Sequence, residues 1–191
     1  MRYQPEHKAA IHQKIVKDAA RRVRAEGMTG AAVAAVMRDA GLTHGGFYKH
    51  FENKDELLLE SVSAAFTEMG DWLAGAGKKF RPGTEWKAVV KAYLSPEHCD
   101  HAEWGCPLAA LGPELARTGQ RTKGRMVAEL VRYKNRMLPL MPGRRTADKE
   151  RAFFVIFSTM AGAIEIARML PTPAMREKVL KTVRDFLLRS F

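Results

Sequence analysis

Apolar residues recur along this chain at spacings of three and four, and no segment shows the alternate-residue pattern of a half-buried strand. A chain patterned in this way buries its apolar surface only as packed helices, so the fold class is all-α. Ile11, Ile15, Ala19 and Val23 fall four apart, and Gly27 follows as a C-terminal stop. A short Ala-rich helix over Ala31–Ala40 ends at Gly41; Leu42-Thr43-His44 follows, then a compact segment from Gly45 to Phe51. Asn53-Lys54-Asp55-Glu56 reads as a capped helix start with acids in its first turn. Leu57, Leu58, Val62, Ala65, Phe66, Met69, Trp72 and Leu73 then mark one long face. Gly75, Gly77, Pro82 and Gly83 break the chain before a helix over 85–94. Residues 95–106 read as a loop. Helices are expected from Pro107, at 120–140, at 147–169 and at 173–190, which makes about nine in all.

Charge narrows the partners. The 191 residues carry 32 Lys and Arg against 21 Asp and Glu, a net +11, which favours a polyanion such as nucleic acid or an anionic surface. The excess sits in two places: residues 1–50 hold nine basic and four acidic residues, and residues 117–145 hold nine basic residues and only Glu129. The second stretch is open to three readings: a solvated helix face, the lining of an anionic-ligand site, or a graze of DNA beside a main contact. The longest apolar run, Ala152 to Ile164, contains Ser158 and Thr159 and is about half the roughly 20 residues of a membrane span. No apolar stretch follows the N-terminal Met-Arg-Tyr-Gln-Pro, so no signal peptide and no membrane partner are expected. Two cysteines make no disulfide framework, and the cytoplasm is the expected compartment. No nucleophile–base constellation stands out, so neither an enzyme nor a cofactor is expected.

The most informative stretch is residues 9–60. Two short helices joined by a tight Gly-containing turn, between two longer helices, suit a helix-turn-helix over about 31–50. Thr43 is placed to cap the second short helix and to reach a phosphate oxygen. Gly45 and Gly46 cost helix stability by roughly 1 kcal/mol each relative to Ala, which suggests close approach of a partner to the backbone. Tyr48, Lys49, His50 and Lys54 supply donors, while Phe47 and Phe51, four apart, anchor the segment to its own core.

The run Gly27 to Lys54, with Ala40-Gly41-Leu42-Thr43, Gly45, Phe47-Tyr48, His50-Phe51 and Lys54, resembles the DNA-binding domain of the TetR/AcrR family of transcriptional regulators. That resemblance implies a helix-turn-helix domain over 1–53 and a helical ligand-binding and dimerisation domain over 54–191. It implies phosphate contacts from Thr43, Tyr48 and Lys54, with His50 ending the recognition helix. His44 and Gly46 would face base edges and Gly45 would admit the DNA backbone. One slot departs from the pattern: Ala31-Ala32 stand where Ser or Thr usually caps the first short helix, and Thr29 is the alternative cap.

By the same resemblance the chain would be a ligand-responsive repressor of a palindromic operator in double-stranded DNA, released by a small-molecule effector. It would be a homodimer through its last two helices. The faces would be Phe153, Phe154, Phe157, Met160, Ala161 and Ile164 on one, and Val179, Val183, Phe186 and Leu187 on the other. Met69, Trp72, Trp86, Tyr93, Phe153, Phe154, Phe157 and Met160 would build the core around an effector cavity. Two other readings stay open. One is a redox-, electrophile- or metal-responsive regulator using Cys106 and the 98–106 segment, where His98, Cys99, Asp100, His101 and Cys106 crowd together. The other is a basic protein that coats DNA without regard to sequence.

Overall fold

The computed structural model describes residues 5–78 and 80–191; the first four residues of the N-terminal stretch considered above lie outside it. The described residues form helices and no strands. In chain order these are α1 (Pro5–Glu26), α2 (Val33–Asp39), α3 (Lys54–Gly77), α4 (Glu85–Tyr93), α5 (Pro96–Asp100), α6 (Pro107–Leu115), α7 (Gln120–Met137), α8 (Thr146–Arg168) and α9 (Pro173–Ser190). Short 3-10 turns occupy Met28–Ala31, His44–Lys49, Ala102–Trp104 and Leu138–Leu140.

Two apolar clusters meet on α3. The smaller gathers Ile15, Val16 and Ala19 of α1, Val36 and Met37 of α2, Phe47, Phe51 and Leu57. The larger takes Leu58, Leu59, Val62, Phe66, Met69 and Leu73 from the rest of α3 and joins them to α4 and α6–α9. Val23, near the end of α1, belongs to this second cluster, so α1 is pinned into both. Two polar ties reinforce that packing. His12 of α1 meets Glu60 of α3 at 2.7 Å, and Arg24 donates to Glu68 at 2.7 Å.

Several expectations need correction. Residues 95–106 are not a loop. Ser95 accepts the N–H of His98 at 3.1 Å and Pro96 occupies the first helical position, so a cap and a preset φ close one helical turn. Helix α3 runs through Gly75 and ends only at Gly77, because the packed face outweighs one glycine. The first short helix opens at Val33, after a 3-10 turn, and Thr29 does not cap it: its hydroxyl donates back to Glu26 O at 3.0 Å. Finally, five of the expected dimer-face residues, Phe153, Phe157, Met160, Ile164 and Leu187, are core residues of the single chain. The rings of Phe153 and Phe157 pack against each other at 4.6 Å and both lie close to Tyr133 of α7. Helix α8 has apolar residues on two faces, and periodicity alone does not tell which face turns inward.

His98 locks α5 to the start of α6. It is buried, its Nδ1–H donates to Tyr93 O at 2.6 Å, and its Nε2 accepts the Cys106 N–H at 3.0 Å. Arg168 of α8 donates to the carbonyls of His98 and Cys99, both at 3.0 Å. Burial, with Arg168 adding to it, pushes the imidazole down to about 4, against the opposing pull of the Tyr93 bond. The unfolded ring binds its proton near 6.5 while the folded ring does not, so stability falls as pH drops from 6.5 towards 4. The loss approaches roughly 3 kcal/mol. Urea unfolding at pH 7.5 and pH 5 should show a lower midpoint at pH 5, and His98→Gln should lose most of that difference.

Candidate nucleic-acid interface

The turn between α2 and the next segment closes because Gly41 takes φ 76°, a left-handed conformation that side chains disfavour. Leu42 N then returns to Met37 O at 2.8 Å, which ends α2 and redirects the chain. The recognition segment that follows, His44–Lys49, is a 3-10 helix and not the α-helix expected. Two glycines in six residues leave too little propensity to hold an α-helix, and the tighter form suits short pieces. Phe47 anchors it, buried in the smaller cluster and stacked on Phe51 at 5.4 Å. Phe51 in turn stacks on His12 of α1 at 4.6 Å.

That anchoring leaves the other side chains to solvent. Thr43, His44, Gly45, Lys49 and Lys54 are exposed, and Tyr48 is 71% exposed with its ring edge-on to Phe47. Thr43 stands at the N-cap position but its side chain makes no cap bond; the turn is closed by Gly46 N to Thr43 O at 3.0 Å. The hydroxyl expected to serve as a cap is therefore unspent. A Cβ at Gly45 would meet nothing within 4 Å, so nothing inside the protein requires glycine there. Gly46 is half-buried, and a Cβ there would stand 3.5 Å from the Met37 methyl. Lys54 opens α3, whose start is secured by Asn53 accepting Glu56 N at 3.0 Å and by Glu56 accepting Glu52 N at 2.6 Å.

His50 differs from the rest. It is half-buried, its Nδ1 has no partner among the described residues, and burial lowers its pKa, with His12, Lys8 and Lys49 adding to the effect. The lowering favours the uncharged ring. Together His50, Thr43, Gly46 and Lys49 line a cup of about 220 Å³, completed by Leu42 and by Lys8 and Ile11 of α1. Two ammonium groups, a hydroxyl and an imidazole around a small hollow suit a phosphate. Lys8 escaped the sequence reading because it enters from a helix some 35 residues upstream and carries no local signal.

A second concavity lies between α1, α3 and the Glu97–Trp104 region. Lys17 and Arg21 of α1, Glu68 and Trp72 of α3, and Glu97, His98, His101 and Trp104 line a cleft of about 560 Å³. The Arg21 guanidinium lies over the Trp104 ring at 4.1 Å, and both tryptophans are partly exposed. Four chain segments assemble it, and for that reason no single stretch of sequence announces it.

The residues considered for metal or redox sensing are otherwise engaged. His98 uses both ring nitrogens internally, Asp100 accepts Arg176 at 2.7 Å, and His101 pairs with Glu103. Among the described residues no three His, Cys, Asp or Glu side chains gather as a metal site. Cys106 is the N-cap of α6, and the Leu108 and Ala109 N–H groups favour its thiolate. Burial outweighs them and pushes the thiol above its ordinary value, and Cys99 is raised likewise. Both thiols are buried, the opposite of what a reactive cysteine needs.

Residues 15–61 match the family model described as bacterial regulatory proteins, tetR family. No curated protein matches the chain. Among solved structures, a TetR transcriptional regulator from Chloroflexus aurantiacus superposes with a TM-score of 0.75 at 21% identity, covering 96% of each chain. A TetR-family regulator from Cytophaga hutchinsonii gives 0.74 at 19% identity over 95% of this chain and 94% of that one. The regulator FadR from Bacillus subtilis, in complex with stearoyl-CoA, gives 0.63 at 15% identity over 94% and 98%. Among the described residues no helix is long and apolar enough to cross a membrane.

The two caps should separate on mutation. Asn53→Ala should cost about 1 kcal/mol of unfolding free energy. Thr43→Ala should stay within about 0.5 kcal/mol of the parent while weakening DNA binding. Equal losses in urea unfolding would mean that the Thr43 hydroxyl has a structural partner after all.

Proposed function

We propose that the chain, whose residues 15–61 match the tetR family model, is a transcriptional regulator that grips a palindromic operator as a homodimer and lets go when a small molecule binds. One observation carries the DNA reading: the donors of Thr43, Tyr48, Lys49 and Lys54 are exposed with no partner among the described residues, around the Lys8–His50 cup. Tyr48 and Lys54 take phosphates, the cup takes another, and the bare backbone at Gly45 lets the groove approach. His44 and the Gly46 backbone lie against base edges.

Dimerisation draws support from α8. Val155, Thr159, Gly162, Ile166 and Met169 follow alternating spacings of four and three, and Val155, Ile166 and Met169 are exposed. A Cβ at Gly162 would meet nothing within 4 Å, so a second helix can come close there. Phe186 of α9 and Phe154 of α8 are exposed as well. Two such pairs across a two-fold axis make a four-helix interface. The recognition segments of the dimer then have to match successive major grooves, roughly 34–36 Å apart.

The effector reading rests on the cleft between α1 and the Glu97–Trp104 region. Its volume suits a small molecule, and its walls come from α1, from α3 and from the Glu97–Trp104 region, so a guest there bears on how α1 sits against the rest. The Bacillus subtilis FadR structure holds stearoyl-CoA, but the guest of this chain is set by its own walls. Two tryptophans with Lys17 and Arg21 suit a flat apolar body bearing an acidic group. Binding changes the spacing of the recognition segments and leaves the dimer intact.

The test is to retain fragmented genomic DNA of the host on the protein at about 0.15 M salt, where non-specific binding is weak, and to sequence it. A short palindrome should emerge, and Tyr48→Phe or Lys54→Ala should bind it more weakly. Ile166→Glu should sediment as a monomer and lose the palindrome while keeping its helical content. Retention that tracks DNA length alone would sink this reading in favour of a general DNA-coating protein.

A further inference from the structure

The basic stretch 117–145 divides into two halves with different chemistry. In its later part four of the five cations are consumed within the protein, Arg144 being the exception: Arg132 pairs with Glu129, Lys134 with Glu150, Arg136 with Asp71 and Arg145 with Asp148. In its earlier part Arg117, Arg121, Lys123 and Arg125 form no ion pair with any described residue, and the three arginines are exposed. No acidic residue lies between Arg117 and Arg125. Four uncompensated charges in nine residues repel one another, and a solvated helix face has no need to concentrate them at one end.

The packing of α7 tells where that end lies. Arg125, Met126 and Glu129 line a shallow cleft with Leu59, Glu60 and Ser63 of α3. Tyr133 stands 5.4 Å from Phe66, and Arg136 reaches Thr67 O and Asp71. The two helices therefore run side by side in the same direction, residue for residue about 66 apart. One turn before Arg125, Arg121 comes level with the first turns of α3, the end where Lys54 stands. At 1.5 Å per residue that places the start of α7 within roughly one or two turns of the Lys54 level. Upstream, Glu114 of α6 accepts Met28 N at 2.8 Å, so the linker carrying Arg117 departs from beside the 3-10 turn Met28–Ala31 that leads into α2. Ala32 and Val33, where α2 opens, offer no polar side chain of their own.

We propose that Arg117, Arg121, Lys123 and Arg125 form a second DNA-backbone contact, made by the C-terminal domain on phosphates flanking the half-site that the recognition segment occupies. Arg121 and Arg125 are one helical turn apart on one face and track the strand. The contact adds affinity without base preference and lengthens the DNA that each protomer covers. It rests on the DNA-binding reading above, and the test keeps the two apart.

Binding of the selected operator is followed by fluorescence anisotropy across a salt series, on duplexes ending at the palindrome and on duplexes extended by ten base pairs at each side. The proteins are the wild type, Arg121→Gln/Arg125→Gln and, as a control in the neutralised half, Arg132→Gln. Wild-type affinity should rise on the extended duplex. The double variant should lose that gain and flatten the slope of log K against log salt by about 2, since each phosphate contact contributes about 0.9. Arg132→Gln should match the wild type, and base preference should be the same for all three. A double variant with the wild-type slope and the same gain from extension overturns the proposal while leaving operator binding intact. A wild type that prefers no sequence overturns the operator reading itself.

Discussion

A guanidinium with no exposed surface holds the two parts of this molecule together. The Arg24 side chain is fully buried, and one nitrogen reaches Glu68 at 2.7 Å while Nε and Nη1 find no partner among the described residues. Glu68 keeps about a third of its side chain in solvent, and without it the buried guanidinium would be left with no acidic partner in a poor solvent. The pair therefore fixes α1 on α3 at a defined height. Everything downstream follows from that: α1 carries Lys8 to the recognition segment at one end and Arg21 to the cleft at the other. Glu68 also lines the cleft, so the joint and the concavity share a carboxylate.

The protein uses its positive charge in two distinct ways. Some cations are internal fasteners, as Arg168 is on the end of α5 and Lys14 is on Ala40 O at 2.9 Å. Others form no ion pair with a described residue and face outward, notably Lys49, Lys54 and the arginines at the start of α7. Net charge alone mixes these populations. Only the packing separates them, and only the second kind is available to a polyanion.

The α-helical architecture and the helix-turn-helix were legible because both rest on local rules. Gly41 at a left-handed turn, Asn53 as a cap and Phe47 four residues before Phe51 are signals within a few positions of one another. What escaped was long-range. The membership of Lys8 in the recognition cup, the cleft of Lys17, Trp72 and Trp104, and the inward turn of Phe153 and Phe157 depend on which helix meets which. The short helix α5 is a different kind of miss. Its Ser95-Pro96 start was in plain view, but the polar residues after it suggested a loop, and the cap outweighed them. Cys106 shows the same contest in electrostatics: a helix start favours the thiolate, and burial reverses the sign.

The tight winding of the recognition segment limits how much sequence a half-site can spell. A 3-10 helix advances about 2 Å per residue, so six residues span roughly 12 Å, or three to four base pairs at 3.4 Å each. With three residues per turn, His44, Phe47 and His50 share one edge, exposed at His44 and turned inward at Phe47 and His50, and the remaining four positions set Gly45 in line with Tyr48 and Gly46 with Lys49. Glycines at two of those four positions leave few side chains to form the paired hydrogen bonds worth about 1–3 kcal/mol per base. On the operator proposed above, each half would accordingly be a short and degenerate word. Discrimination among genomic sites would then come from repeating that word at a fixed distance and from the ease with which the intervening duplex takes the required shape.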